Sequence, residues 1–479
     1  MRNYKFSHYV IISEPVNLSG KCILFSTRSG KELLVTSAVL TSLQTNILEV
    51  IPEPILQKLI DYKFVVPAEE DELLAIVNEN KNYISNSTVL YEIIQPSAMC
   101  QLGCYYCGQK HTKDYVTTDL QNRIIARIRM KAAAGNYKML SIGWFGAEPL
   151  MGLSQMRALT PHLKEIAKEF GMSYSATVVT NGLSLKENVF EELTQELAVN
   201  KIEVTLDGTA EFHDQHRYTK NGGKSFDLIF QNLQSIVKKP NYRDYKCDIS
   251  IRCNVDEKND AGVSPLIQQI ADAGLKNLVS FYAVGVYSWG NDAHKKSLSK
   301  EEFSQRELEW NVEMISLGYN KTKGIPPRKK QVCFTVSKTS EMYDAFGNIY
   351  DCSETSYVPA YEKADYKVGK LQKDHENLNL KRSNLNNWND TLLTDEFPCH
   401  TCKMLPVCGG GCPKSWHEDM RACPSAKFNI KDKLLLRYMI LKKQQNEISQ
   451  MEETIKLYPQ KKWVKDFKDK IFNKIVELV

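Results

Sequence analysis

Residues 99–110 read MCQLGCYYCGQK, which brings Cys100, Cys104 and Cys107 together in one short segment. Thiolates this close bind metal. Four of them close a tetrahedral zinc site or complete an iron–sulfur cluster. Three on a 4Fe–4S cube leave one iron without a protein ligand, and that open iron can hold a substrate or cofactor. A partial zinc site is the other reading of three thiols alone. A second concentration follows downstream: Cys333, then Gly347 and Cys352, then Cys399-x2-Cys402-x5-Cys408-x3-Cys412, and finally Cys423. Taken alone, CHTCKMLPVC (399–408) fits a zinc ribbon as well as it fits a cluster.

The rest of the chain bounds this chemistry. At 479 residues it is expected to form two or three domains. A hydrophobic share of 42% and a charged share of 25% are ordinary for a soluble globular protein. No run of 18 apolar residues occurs, so no membrane segment is expected. The start, MRNYKFSHYV, has no apolar core of a signal peptide. The expected location is cytoplasmic, where thiols stay reduced, and 13 cysteines then point to metal or redox chemistry rather than disulfides. Residues 430–479 hold 12 Lys/Arg against 7 Asp/Glu, which accounts for the whole net charge of +5. This tail is a solvated helix face or a surface for an acidic partner.

The pattern of elements divides the chain at 88, 325 and 429. In 1–88, YVIISEP (9–15), CILFST (22–27) and ELLVT (32–36) read as strands, with RSGK (28–31) a turn. SAVLTSLQTNIL and EPILQKLIDYKFVV carry apolar residues at helical spacing. A winged-helix module of α+β type fits, closed by AEEDEL (68–73) and followed by the polar linker NENKNYISNST (78–88). Residues 89–325 alternate strand and helix. Strands are expected at 89–96, 138–146, 174–182, 201–208, 247–255 and 277–285, with helices at 119–133, 155–169, 186–199, 226–237 and 262–273. This α/β alternation predicts a partial (β/α)6 barrel. Ligands of such sheets bind at the carboxyl ends of the strands, where Gly146-Ala147-Glu148, Thr180-Asn181-Gly182, Asp207-Gly208 and Arg252 would ring one cavity. Residues 326–429 form a cysteine-rich domain. Residues 430–479 are helical, and the stripe in LLLRYMILKKQQNEI is expected to pack on the barrel.

Cys-x3-Cys-x2-Cys, with aromatic Tyr106 before the last cysteine, resembles the signature of the radical SAM enzymes. In that family S-adenosylmethionine (SAM) chelates the open iron through its amino and carboxylate groups, and its reductive cleavage yields a 5′-deoxyadenosyl radical. The resemblance makes Tyr106 a cofactor-binding residue. It equates GAEP (146–149) with the family's Gly-Gly-Glu-Pro motif, which binds the methionyl amino group through backbone oxygens and Glu148; Ala147 replaces the second glycine and narrows the site. Thr180, Asn181 and Arg252 fall where the family contacts the ribose and the methionyl carboxylate. His213, Asp214 and Arg217, in LDG…HDQHR (206–217), are expected to form a structural network. The later cysteines resemble the seven-cysteine pattern of the SPASM domain, which holds two auxiliary 4Fe–4S clusters. By that resemblance Cys399, Cys402, Cys408 and Cys423 hold one, and Cys333, Cys352 and Cys412 hold the other. Three clusters then take ten of the 13 cysteines. Cys22, Cys247 and Cys253 are left over, the last two as core residues. The three-cysteine auxiliary site is one thiolate short; a substrate thiolate, Asp351, Glu354 or another group completes it.

Residues 1–88 carry 8 Lys/Arg against 10 Asp/Glu, whereas a DNA reader shows a basic face, so no nucleic-acid partner is expected. The module resembles the precursor-recognition element of SPASM enzymes that process ribosomally made peptides, which adds the leader as a strand to its sheet edge. The implied function is a peptide maturase forming a thioether or carbon–carbon cross-link, with an electron donor such as flavodoxin or ferredoxin. An anaerobic sulfatase maturase is the rival enzyme; there the second auxiliary-domain cysteine resembles Cys-Asp, whereas here it is Cys352-Ser353. A non-enzymatic iron–sulfur sensor on DNA is the rival of another class.

Overall fold

The computed structural model describes residues 4–320, 322, 324–373 and 378–476. Its strands in chain order are β1 (Tyr4–Phe6), β2 (Val10–Ile12), β3 (Cys22–Ser26), β4 (Lys31–Val35), β5 (Val65–Pro67), β6 (Val89–Ile94), β7 (Met139–Trp144), β8 (Ser173–Thr180), β9 (Val199–Thr205), β10 (Asp248–Val255), β11 (Val279–Gly285), β12 (Glu341–Tyr343), β13 (Asn348–Tyr350) and β14 (Lys367–Lys370). Strands β6 to β11 lie side by side in sequence order and all run parallel. Each is a short apolar run followed by an amphipathic helix, the arrangement that buries both faces of a parallel sheet. Leu140, Ile142, Ile202 and Ile251 are wholly buried in its core. The helices between strands include Thr118–Ala134, Leu153–Glu169, Glu187–Gln195, Phe226–Val237 and Val263–Asp272. Thr117 and Glu148 start two of the intervening segments by accepting backbone N–H bonds from Leu120 and Leu150.

The sheet continues past β6, the first of these strands. β12 adds parallel to β6, and β13 and β14 continue antiparallel, so the cysteine-rich segment shares one nine-stranded sheet with the parallel strands. Strands of three or four residues give too short a pattern to be read from sequence. A buried charge network secures the junction. Arg127 Nε donates to Glu341 Oε2 at 2.6 Å, Lys131 pairs with Glu92 and Glu341, and Tyr343 Oη donates to the same carboxylates.

The N-terminal segment has the antiparallel order β2-β3-β4, helices Ser37–Gln44 and Glu53–Asp61, and a further β1-β5 pair. The expected linker at 78–88 is corrected: Glu72–Ser85 is a helix, N-capped by Asp71. Its many polar residues disguise an apolar face. Ile76 and Val77 are buried with Tyr9 against Val336, Trp388, Leu392 and Leu405 of the cysteine-rich region. Glu79 meanwhile takes Arg328 at 3.1 Å and Lys330 at 2.9 Å.

The C-terminal stripe packs on the last helix of the 89–325 segment, as expected, and on the N-terminal segment as well. Helix Ala426–Gln444 buries Ile430, Leu434, Leu435 and Met439 against Leu308 and Val312 of helix Lys300–Ser316, and against Val16, Ile23 and Phe25 of the N-terminal segment. Much of the tail's positive charge is committed, with Lys433–Glu307 at 2.8 Å, Lys461–Asp432 at 2.7 Å and Arg437–Glu32 at 3.0 Å. Among the described residues no helix is long and apolar enough to cross a membrane.

Candidate functional site

The loop after β6 folds back over the carboxyl ends of the parallel strands. There Cys100, Cys104 and Cys107 line one cavity of about 130 Å³. Its walls come from every strand end: Gly146 and Ala147 after β7, Thr180 and Asn181 at β8, Glu203 and Thr205 on β9, Arg252 and Asn254 on β10, Tyr287 and Trp289 after β11. Burial pushes the three thiols up, to about 12 for Cys100 and about 11 for Cys104 and Cys107. Thiols so buried stay protonated unless a metal ligates them, because the metal's charge replaces the lost hydration. Among the described residues, no three Cys, His, Asp or Glu groups converge on a site for a single metal ion.

Glu148 is not on the cavity surface. It is fully buried, and its Oε1 accepts from Thr180 Oγ1 at 2.6 Å and Leu150 N at 3.0 Å, while Oε2 accepts from Asn181 N at 2.7 Å. Burial raises its carboxyl, against those hydrogen bonds. It therefore positions the neighbouring strand end, whose Asn181 Nδ2 lies 3.8 Å from Cys100 Sγ and 3.2 Å from Gln101 Oε1. Gly146 and Ala147 do face the cavity, at φ 79° and 42°. The left-handed region costs an L residue about 1–2 kcal/mol, a cost glycine escapes. Ala147→Gly should therefore stabilise the fold by about 1 kcal/mol, read as a higher denaturation midpoint in urea at unchanged slope.

Tyr106 is the hub of the floor. Its hydroxyl donates to Asp207 Oδ2 at 2.7 Å and accepts from Arg217 at 2.5 Å and Asn254 Nδ2 at 3.0 Å. Asp207 Oδ1 in turn accepts from Asn254 N at 2.8 Å. Arg252 donates to Asn254 Oδ1 at 2.9 Å and lies 3.7 Å from Glu203. Burial works against its charge, yet Tyr287, Tyr282, Glu203 and Glu354 outweigh that and hold it protonated. His213 accepts from Asp207 N at 3.1 Å, and Asp214 accepts from Ser225 N and Phe226 N at the start of helix Phe226–Val237. Arg217, by contrast, reaches the cavity. Sequence reading missed Asn254, Glu203, Tyr287 and Trp289. Only their positions at strand ends could have flagged them.

The downstream cysteines form two groups. Cys399, Cys402, Cys408 and Cys423 line one small cavity with Leu405 and Trp416. Gly409, Gly410 and Gly411 all take positive φ, turning the chain sharply between Cys408 and Cys412. A Cβ on Gly411 would sit 2.4 Å from the Ala422 carbonyl oxygen, so only glycine fits. Cys333 and Cys352 are buried thiols pushed up by burial, and Cys412 is among the groups raising each of them. Asp351 is committed elsewhere, accepting from Ser383 N at 2.8 Å and Ser383 Oγ at 2.9 Å. Glu354 lines the main cavity, accepts from Tyr287 Oη at 3.0 Å, and bears electrostatically on both Cys107 and Cys352. Cys247 and Cys253 are buried in the parallel-sheet core.

Residues 94–241 match the family model of the Radical SAM superfamily. A cysteine-type anaerobic sulfatase-maturating enzyme of Clostridium novyi is 21% identical over 67% of this chain and 87% of its own length. The radical SAM cyclopropyl synthase TigE of Paramaledivibacter caminithermalis is 27% identical over 30% of this chain, and an uncharacterized protein of Synechocystis sp. is 26% identical over 30%. These two matches span only 32% and 37% of the relatives' own lengths. The structure of anSMEcpe with bound AdoMet superposes with a TM-score of 0.54 at 17% identity, covering 73% of this chain and 96% of that one. A second structure of that protein, with AdoMet and the Cp18Cys peptide, gives 0.53 at 17%, covering 74% and 97%.

Proposed function

We propose that this radical SAM superfamily enzyme, related to sulfatase maturases and peptide-modifying enzymes, matures a ribosomally made precursor peptide. When bound, a 4Fe–4S cluster on Cys100, Cys104 and Cys107 with SAM at its open iron supplies a 5′-deoxyadenosyl radical for hydrogen abstraction. The donor set fits such a group, since three thiols and no fourth cysteine line the cavity beside Gly146, Ala147, Asn181 and Arg252. Gly146 and Ala147 offer backbone oxygens to the methionyl ammonium, and Arg252 offers its guanidinium to an anionic group. Tyr106, fixed by Asp207 and Asn254, holds the cluster loop on the strand ends. Glu148 holds Thr180 and Asn181 in place from behind. In this reading residues 89–325 are the partial barrel and 326–429 a SPASM domain with two auxiliary clusters. The first of these takes Cys333, Cys352 and Cys412; with Asp351 held by Ser383, Glu354 or a substrate sulfur is left to complete it.

The observation that carries the peptide reading is the edge of β4. The order β2-β3-β4 leaves the outer side of β4 without a strand partner among the described residues, and Leu34 on it is 43% exposed. An extended leader adds there as a fourth strand, its backbone groups satisfying the free edge. Leu34→Asp should then weaken binding of a full-length precursor, taken from a neighbouring short reading frame, about tenfold, as measured by fluorescence polarisation. SAM cleavage without peptide should not change. Equal binding by wild type and variant would reject the leader-edge role.

The 87% coverage of a cysteine-type sulfatase-maturating enzyme favours a second reading, in which the substrate is a protein cysteine oxidised without any leader. Turnover of a leaderless cysteine peptide at the rate of the leader-bearing one would select it.

A further inference from the structure

Lysines gather around the four-cysteine group. Lys427 Nζ lies 3.6 Å from Cys423 Sγ. Beside the fellow cysteines, the side-chain charges bearing on Cys399 and Cys408 are Lys427 and Lys329 respectively, and Cys423 is in turn among the charges acting on Lys300. Lys403 directly follows Cys402 and is exposed, as is Lys329. Their main chain is anchored, Lys329 N donating to Pro406 O at 2.9 Å and Lys403 O accepting from Thr27 Oγ1 at 2.8 Å. Arg328 and Lys330 are bound to Glu79, but among the described residues Lys329, Lys403 and Lys427 have no carboxylate partner. The positive surface extends to Cys333 through a cavity of about 510 Å³ lined by Tyr83, Lys329, Lys330 and Gln331.

We propose that this lysine face, centred on Lys329, Lys403 and Lys427, docks an acidic one-electron carrier protein against the Cys399/Cys402/Cys408/Cys423 site. The inference rests on reading those four cysteines as cluster ligands. Charge complementarity selects the occupant: unpaired ammonium groups steer a carboxylate-rich surface into place. Cys402 and Cys408 are partly exposed, which gives the charge transfer a short path to the surface. Closing a cross-link removes from the peptide one hydrogen atom, one proton and one electron. A cluster held by these four cysteines would hand that electron to the oxidised carrier, which would be reduced by one electron while no bond forms or breaks in either. Lys427, 3.6 Å from Cys423 Sγ, would favour the more negative, reduced state of a cluster held there.

The test uses the full-length, cluster-loaded enzyme and an acidic flavodoxin as probe. Lys329→Glu/Lys403→Glu should weaken flavodoxin binding at low salt at least tenfold, by biolayer interferometry, while 0.5 M NaCl should bring wild type and variant close together. Iron content and reduction by dithionite should stay at wild-type values, which excludes misfolding, and Lys329→Gln/Lys403→Gln should fall between. Unchanged flavodoxin affinity with full iron content overturns the docking face. So does a loss of precursor-peptide affinity with flavodoxin binding intact, which would give the face to an acidic peptide. A wild-type enzyme lacking the four irons of this site fails the cluster reading itself, and the inference with it.

Discussion

Replacing Cys100, Cys104 and Cys107 together with Ala is expected to abolish SAM cleavage and to lower iron from about 12 to about 8 atoms per anaerobically reconstituted chain. The size of the effect follows from the site. All three thiols open on the cavity that also exposes Gly146, Asn181 and Arg252, so removing them deletes the anchor of everything proposed to bind there. The downstream groups should survive, because Cys399, Cys402, Cys408 and Cys423 line a separate cavity. Iron by ferrozine assay and 5′-deoxyadenosine by chromatography check the two halves independently. Zinc in place of eight of the irons would remove the auxiliary clusters from the proposal and leave the radical chemistry standing. Retention of SAM cleavage would remove the radical chemistry from this loop.

Much of this was legible in the sequence where the chain repeats a strong pattern. Each of the six parallel strands falls within three residues of its expected bounds, since apolar runs such as MLSIGW are bounded by turns and separated by amphipathic helices. The cysteine loop was legible because thiols at that spacing have few uses. What stayed hidden has a physical cause in each case. β12, β13 and β14 are three or four residues long, below the length at which alternation can be detected. The helix Glu72–Ser85 buries only Glu72, Ile76, Val77 and Asn80 and is mostly polar from Asn78 on, so its composition reads as linker. Glu148 was expected to ring the cavity and is instead buried against Thr180 and Asn181 behind it, because no spacing rule tells which way a carboxylate at a strand end turns. The Tyr106–Asp207–Asn254 hub joins three segments far apart in sequence, and only the fold brings them within hydrogen-bonding distance.

Glu341→Ala is expected to cost about 3–5 kcal/mol of stability, because it strands Arg127, Lys131 and Arg382 in the interior without their shared carboxylate. Glu92, on the adjacent strand, behaves differently. Burial pushes its carboxyl up to about 7, Lys131 offsetting only part of this, whereas for Glu341 burial is outweighed by Lys131, Arg127 and Arg382, which hold it down at about 2. Glu92→Gln removes one partner of Lys131 but leaves that lysine its contact with Glu341, so it should cost less than Glu341→Ala. The two groups also give opposite pH limbs. Glu341, with a folded pKa below its ordinary 4.5, stabilises above pH 4.5, and that contribution is lost as pH falls from 4.5 towards 2. Glu92, with its pKa raised, favours the fold below pH 4.5, and this is lost as pH rises from 4.5 through 7. Denaturant titrations from pH 3 to 8 separate them: Glu341→Gln should remove the acid limb and Glu92→Gln the neutral one. The consequence reaches the site, because β12 leads through β13 directly into Asp351, Cys352 and Glu354. Loosening β12 from β6 frees the segment that carries Glu354 from the cysteine-rich region into the main cavity. Glu341→Ala should thus lower product formation on peptide more than it lowers SAM cleavage, and an equal loss of both would confine this network to stability.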